Sequence, residues 1–131
     1  MARVCDVLQS LSPLARILSF IHRHLDTTMA LIVQKYGGTS VASPDRIKSV
    51  ARRVARFRAQ GHQVVVVLSA MSGETNRLIA LTKEVASNPT PRELDVVVST
   101  GEQVTIGLLC MALEDIGVAA KSYTGGQVRI L

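Results

Sequence analysis

Aromatic side chains are scarce in this sequence, with no tryptophan, two phenylalanines and two tyrosines in 131 residues. Proteins that bind single strands or RNA loops stack bases on aromatic platforms, so this scarcity argues against that class. Cysteine is as rare. Cys5 and Cys110 lie far apart in the chain, which argues against a Cys/His zinc cluster and against a secreted disulfide scaffold and points to a reducing cytoplasm. No run of about 18 uninterrupted apolar residues occurs, so no membrane-crossing helix is expected. Two nucleotide signatures are missing as well: no Gly-x-Gly-x-x-Gly follows the first predicted strand, and no loop ends in the Gly-Lys-Ser/Thr of a Walker A motif. Internal repeats and low-complexity segments are absent from the sequence.

Hydrophobic residues make up 47% of the chain and charged residues 19%, a balance that supports one modest globular domain and excludes wholesale disorder. Lys and Arg outnumber Asp and Glu by 15 to 10, a net charge of +5. A basic balance raises the question of a nucleic-acid partner. Much of the excess, however, is Arg46, Lys48, Arg52, Arg53, Arg56 and Arg58, spread around one predicted helix and interleaved with Val50, Ala51, Val54 and Phe57. That pattern reads as the solvated face of a packed helix. No nucleic-acid partner is expected, whereas an anionic small molecule would suit the charge.

Residues 1–28 have a texture of their own. Leu11, Leu14, Leu18, Ile21 and Leu25 recur at helical spacing among Arg16, His22, Arg23 and His24, and Ser12-Pro13 is a plausible helix start. An Arg-bearing amphipathic leader suggests an organelle transit peptide, but Asp6 and Asp26 argue against it. A helical N-terminal extension is expected here, with Met29 as the usual start.

From Met29 the pattern is α/β. Leu31 to Tyr36 is a β-rich run stopped by Gly37-Gly38. Residues 44–60 read as a helix with Ser43 as N-cap, Pro44 in its first position and Gly61 after its end. Gln63 to Leu68, with four consecutive valines, reads as a strand of a parallel sheet buried on both faces. Glu74 to Ser87 is predicted helical, and Asn88-Pro89-Thr90-Pro91 a loop. Val96-Val97-Val98 has strand propensity, yet Leu94, Val97 and Val98 also fit one helical face. A helix over Gln103–Ile116 ends at Gly117, and Val118 to Tyr123 reads as a third strand. Such a βαβαβ order implies a right-handed doubly wound unit, the first half of a larger domain.

Three segments could carry chemistry. Lys35-Tyr36-Gly37-Gly38-Thr39-Ser40 lies at a predicted strand end before a helix, where ligands of open α/β sheets gather. Its glycines let backbone N–H groups approach an anion, and Lys35 supplies a full positive charge where phosphate charge develops. Ser69 to Asn76 offers small residues and hydroxyls at the second strand end, which either hydrogen-bond a polar substrate or cap the following helix. Ser99-Thr100-Gly101-Glu102-Gln103 places a carboxylate beside a glycine. Glu102 there would hold a substrate ammonium or simply complement the helix dipole.

Taken together, KYGGTS, VVVLSAMSGETNRL, ELDVVVSTGEQ and SYTGGQ, in this order and spacing, closely resemble the bacterial aspartate kinases of the amino-acid kinase superfamily, from Met29 to Leu131. The resemblance implies a three-layer αβα sandwich with a mainly parallel sheet, of which residues 29–131 would be the N-terminal, truncated portion. It implies transfer of the ATP γ-phosphoryl, with Mg2+, to the side-chain carboxylate of L-aspartate, opening the route to lysine, threonine, methionine and diaminopimelate. By the same resemblance Lys35 is the catalytic lysine and, with Tyr36, Gly37, Gly38, Thr39 and Ser40, binds the ATP phosphates; Ser69, Thr75 and Glu102 bind aspartate. No protein-bound metal, a cytoplasmic setting and a homo-oligomeric full-length protein also follow from it. Family catalytic domains continue for well over a hundred further residues, so a fragment is expected. Other amino-acid kinases (acetylglutamate, glutamate 5-, carbamate or uridylate kinase), a Rossmann-type nucleotide module and a non-catalytic interaction module are the alternatives.

Overall fold

The computed structural model describes residues 29–128; the helical extension expected over residues 1–28 lies outside them. Within the described residues the chain runs β1 (Leu31–Tyr36), a 3-10 turn (Gly38–Val41), α1 (Pro44–Ala59), β2 (Gln63–Leu68), α2 (Glu74–Val85), α3 (Pro91–Val98) and α4 (Thr100–Asp115).

Local chemistry accounts for α1. The Ser43 Oγ accepts from the Arg46 N–H at 3.4 Å, Pro44 occupies the first turn without needing a donor, and Asp45 faces the positive helix end. The helix closes where Gln60 N–H bonds back to Arg56 and Phe57 carbonyls and Gly61 turns the chain. One side of α1 buries Ile47, Val50, Ala51 and Val54, while Arg46, Lys48, Arg52, Arg53, Arg56 and Arg58 are exposed, as the interleaved pattern predicts.

β1 and β2 pair in parallel, Leu31 opposite Gln63 through Tyr36 opposite Leu68, with α1 as the crossover. The core lies on one face of this sheet. Tyr36, Val64, Val66 and Leu68 pack there with Ile47, Val50 and Val54 of α1 and Leu109 and Leu113 of α4. Each large side chain fully removed from water contributes about 1.5–3 kcal/mol. The opposite face is open: Leu31 is 65% exposed, Val33 64%, Val65 47% and Val67 48%. The valine run of β2 was expected to be buried on both faces. In these residues one face is covered and the other is bare.

One open alternative is resolved and two further expectations change. Val96–Val98 is helical, in α3, with Leu94, Val97 and Val98 half-buried; strand propensity spans only about 1 kcal/mol and packing overrides it. Helix α2 stops at Val85, two residues short of Ser87, because Ala86 turns to extended backbone. Val118–Tyr123 is not a strand. Its first N–H is taken by the Leu113 carbonyl at the end of α4, at 2.9 Å, and Val118 and Ala120 pack on the core without a ladder partner among the described residues.

Pro91–Asp115, 25 residues long, contains an 18-residue window of mean hydropathy 1.6, enough by length and apolarity alone to cross a membrane. Arg92, Glu93, Asp95 and Glu102 interrupt it, so an uninterrupted-run criterion passes over it. Structurally it is two helices meeting at Ser99, and α4 buries Gly101, Thr105, Leu109 and Leu113 at four-residue intervals. The Thr105 hydroxyl, fully buried, donates to the Gly101 carbonyl at 3.0 Å. One stripe of α4 thus packs on the core, while Val104, Leu108 and Met111 on its other side are exposed.

Candidate active site

Parallel pairing in one register brings the C-terminal ends of β1 and β2 side by side, and their loops leave in the same direction. The Ser69 N–H donates to the Tyr36 carbonyl at 3.1 Å, which extends the ladder one step into the β2 loop. The Tyr36 side chain turns the other way, toward the core, where its hydroxyl donates to Gln34 Oε1 at 2.7 Å. Tyr36 thus serves the loop through its main chain.

Gly37 and Gly38 follow. The Ser40 N–H closes the 3-10 turn onto the Gly37 carbonyl at 2.9 Å, and Arg46 Nη1 donates to the Thr39 carbonyl at 2.8 Å, tying the turn to α1. Thr39 and Ser40 are exposed. Gly38 lies so close to the neighbouring loop that a Cβ on it would stand 2.8 Å from the Ala70 carbonyl oxygen and 3.4 Å from the Ser72 nitrogen. Lys35 is exposed, and its Nζ would stand 3.8 Å from a Cβ on Gly37, so the ammonium lies beside that glycine.

The third segment arrives from α4. A Cβ on Gly101 would stand 3.0 Å from Ala70 Cβ, and Glu102 Oε1 accepts from the Ala70 N–H at 3.3 Å. Ala70, only 5% exposed, is therefore touched by the glycine loop through its oxygen, by Gly101 through its methyl and by Glu102 through its nitrogen. Three segments far apart in sequence meet at one alanine. Ser69 and Thr75 are both half-buried, Ser69 at the end of β2 and Thr75 in the first turn of α2.

Sequence reasoning missed Ala70 and Gly101 as site-building residues. The available signal was smallness, since Gly38, Ala70 and Gly101 are the positions where backbones approach most closely. It also missed the two-pronged ion pair of Glu74 and Arg77, at 2.7 and 2.9 Å on the first turn of α2. The Arg77 guanidinium holds the Glu74 carboxyl below its ordinary range. Burial, with Glu114 nearby, pushes the Cys110 thiol up, which makes it a poor nucleophile.

Among the described residues no group of three or more His, Cys, Asp or Glu is arranged to hold a metal ion. A cavity of about 620 Å³ runs along the edge of β1 against Arg53, Arg56 and Phe57 of α1 and meets the loops only at Lys35 and Tyr36. The loop cluster at the strand ends, with its clustered backbone, hydroxyl, ammonium and carboxylate groups, is the better candidate for chemistry.

The chain is similar to known proteins. A profile described as the amino acid kinase family matches residues 30–130. The aspartokinase of Pseudomonas aeruginosa is 67% identical over 103 residues, an alignment covering 79% of this chain and 25% of that protein. Aspartokinase 2 of Bacillus subtilis is 52% identical over 102 residues, covering 78% of this chain and 25% of that protein. A crystal structure of the aspartate kinase from Synechocystis superposes with a TM-score of 0.70 at 49% identity, over 74% of this chain and 17% of that one. The chain thus spans about 25% of the length of these curated relatives.

Proposed function

Because the chain belongs to the amino acid kinase family, we propose that it forms the nucleotide-phosphate and amino-acid-binding part of an aspartate kinase. The reaction is attack by a side-chain carboxylate oxygen of L-aspartate on the γ-phosphorus of Mg-ATP. The new bond is carboxyl oxygen to phosphorus; the bond from the γ-phosphorus to its bridging oxygen breaks, and ADP leaves. The products are 4-phospho-L-aspartate and ADP. Support comes from the names of the relatives and, on the structural side, from one observation: the glycine loop, the Ser69 loop and the start of α4 converge on Ala70.

Each residue then has a task. Lys35 supplies positive charge to the phosphates as charge shifts toward the departing oxygen. Gly37 and Gly38 admit the phosphates to the backbone, with Tyr36 contributing main chain and Thr39 and Ser40 contributing exposed hydroxyls. Ser69 and Thr75 hydrogen-bond aspartate, and Glu102 pairs with its ammonium. Mg2+ arrives as part of the nucleotide substrate, on the phosphate oxygens. No protein nucleophile is needed, because phosphoryl transfer rests on positioning and charge neutralisation. A cytoplasmic setting and a homo-oligomeric enzyme complete the reading.

The test joins the whole 131-residue chain to the remainder of the Pseudomonas aeruginosa aspartokinase. ADP release by this hybrid is followed with aspartate, N-acetylglutamate, glutamate, carbamate or UMP as acceptor. Turnover that depends on aspartate is expected. Turnover with another acceptor and none with aspartate would overturn the reading.

A further inference from the structure

We infer that Gly101 is a positioning residue: the absence of a side chain there places the Glu102 carboxylate against Ala70 and thereby sets the affinity for the amino-acid substrate. The inference rests on the function proposed above. A Cβ on Gly101 would stand 3.0 Å from Ala70 Cβ and 3.5 Å from both Glu74 Cγ and Leu78 Cδ1. The last two are ordinary contacts, so the constraint is the Ala70 methyl.

Ala70 has nowhere to go. It is 5% exposed, and its carbonyl oxygen already lies against Gly38. An added methyl at residue 101 must instead push the first turn of α4 outward by a few tenths of an ångström. The Glu102–Ala70 hydrogen bond has no slack for that movement. At 3.3 Å it already lies just beyond the usual range for N–H···O contacts, about 2.7–3.2 Å. Displacement therefore releases the carboxylate from its anchor. None of the three atoms nearest a Cβ built on Gly101 belongs to Lys35, Gly37 or Gly38, so nucleotide binding is expected to be spared.

The experiment uses the hybrid enzyme with Gly101→Ala, Ala70→Gly and both together. Gly101→Ala is expected to raise KM for aspartate by about tenfold or more, the worth of one hydrogen bond to a charged group, with KM for Mg-ATP little changed. Adding Ala70→Gly removes the opposing methyl and should bring KM for aspartate back toward that of Ala70→Gly alone. A purely structural glycine would lower the melting temperature without splitting the two KM values. An unchanged KM for aspartate, an equal rise in both KM values, or failure of the second change to restore affinity would overturn the inference. If Gly101→Ala does not fold, a folded double variant with near-parental affinity supports the inference, and a double variant that also fails to fold overturns it. A parent hybrid without aspartate-dependent turnover sinks the functional reading and this inference with it; an active parent indifferent to Gly101→Ala sinks this inference alone.

Discussion

Glu102 Oε1 accepts the Ala70 N–H at 3.3 Å, so the carboxylate at the start of α4 is tied to the loop at the end of β2 across 32 residues of chain. The bond uses one carboxylate oxygen; on the function proposed above, the other is the one that meets the substrate ammonium. A glutamine keeps an oxygen for Ala70 and loses the charge.

Glu102→Gln in the hybrid enzyme is therefore expected to keep the fold and weaken aspartate. An ammonium that loses its desolvated carboxylate partner forfeits about 2–5 kcal/mol. Steady-state kinetics with varied aspartate, alongside a thermal melt, checks this. Unchanged KM with normal turnover would leave Glu102 as a loop anchor and helix-dipole residue only.

Lys35→Ala should act on rate. Removing one preorganised charge from the phosphoryl-transfer transition state costs on the order of 10²–10³ in kcat, with little effect on aspartate binding. A kcat within a few-fold of the parent would reduce Lys35 to an exposed lysine.

Gly38→Ala should destabilise the fold. The new methyl would stand 2.8 Å from the Ala70 carbonyl oxygen, a backbone atom that cannot swing aside as a side-chain tip can. Overpacking of this kind costs about 1–3 kcal/mol, readable as a lowered midpoint in urea unfolding of the hybrid. A midpoint equal to the parent's would show that the two loops have room to separate.

Ser43→Ala should cost about 1 kcal/mol, the usual loss for a serine N-cap, because its Oγ accepts from the Arg46 N–H. Ser43→Asp should preserve stability. Loss of stability in both variants would point to a role for Ser43 outside capping.

The start and stop of α1 were legible because Ser43, Pro44, Asp45 and Gly61 act within one turn of where they stand. The strand at Gln63–Leu68 was legible from its valines, but the bareness of Val65 and Val67 was not, since whatever covers a sheet face is remote in sequence. Val118–Tyr123 misled for a related reason: alternation marks a strand's faces, whereas a strand exists only when another pairs with it. The candidate site divides in the same way. Lys35, Gly37, Gly38 and Glu102 stand out by residue type and by their place at element ends. Ala70 does not, because its importance comes from the Tyr36–Leu68 register and from the approach of α4.

Parallel strands also decouple architecture from specificity. In a hairpin, the turn between neighbours sets their alignment, so an inserted residue can slip the pairing. Here β1 and β2 are aligned by their own ladder and by the return through α1, while the loop at 69–73 leads onward to α2 and joins no paired strands. Side chains at 71–73 can be exchanged without shifting one rung of the sheet, whereas Ser69 and Ala70 are held by Tyr36, Gly38, Gly101 and Glu102. On the function proposed above, such a scaffold can keep the loop after β1 while side chains in the loop after β2 change, one way in which a single fold comes to host different functions.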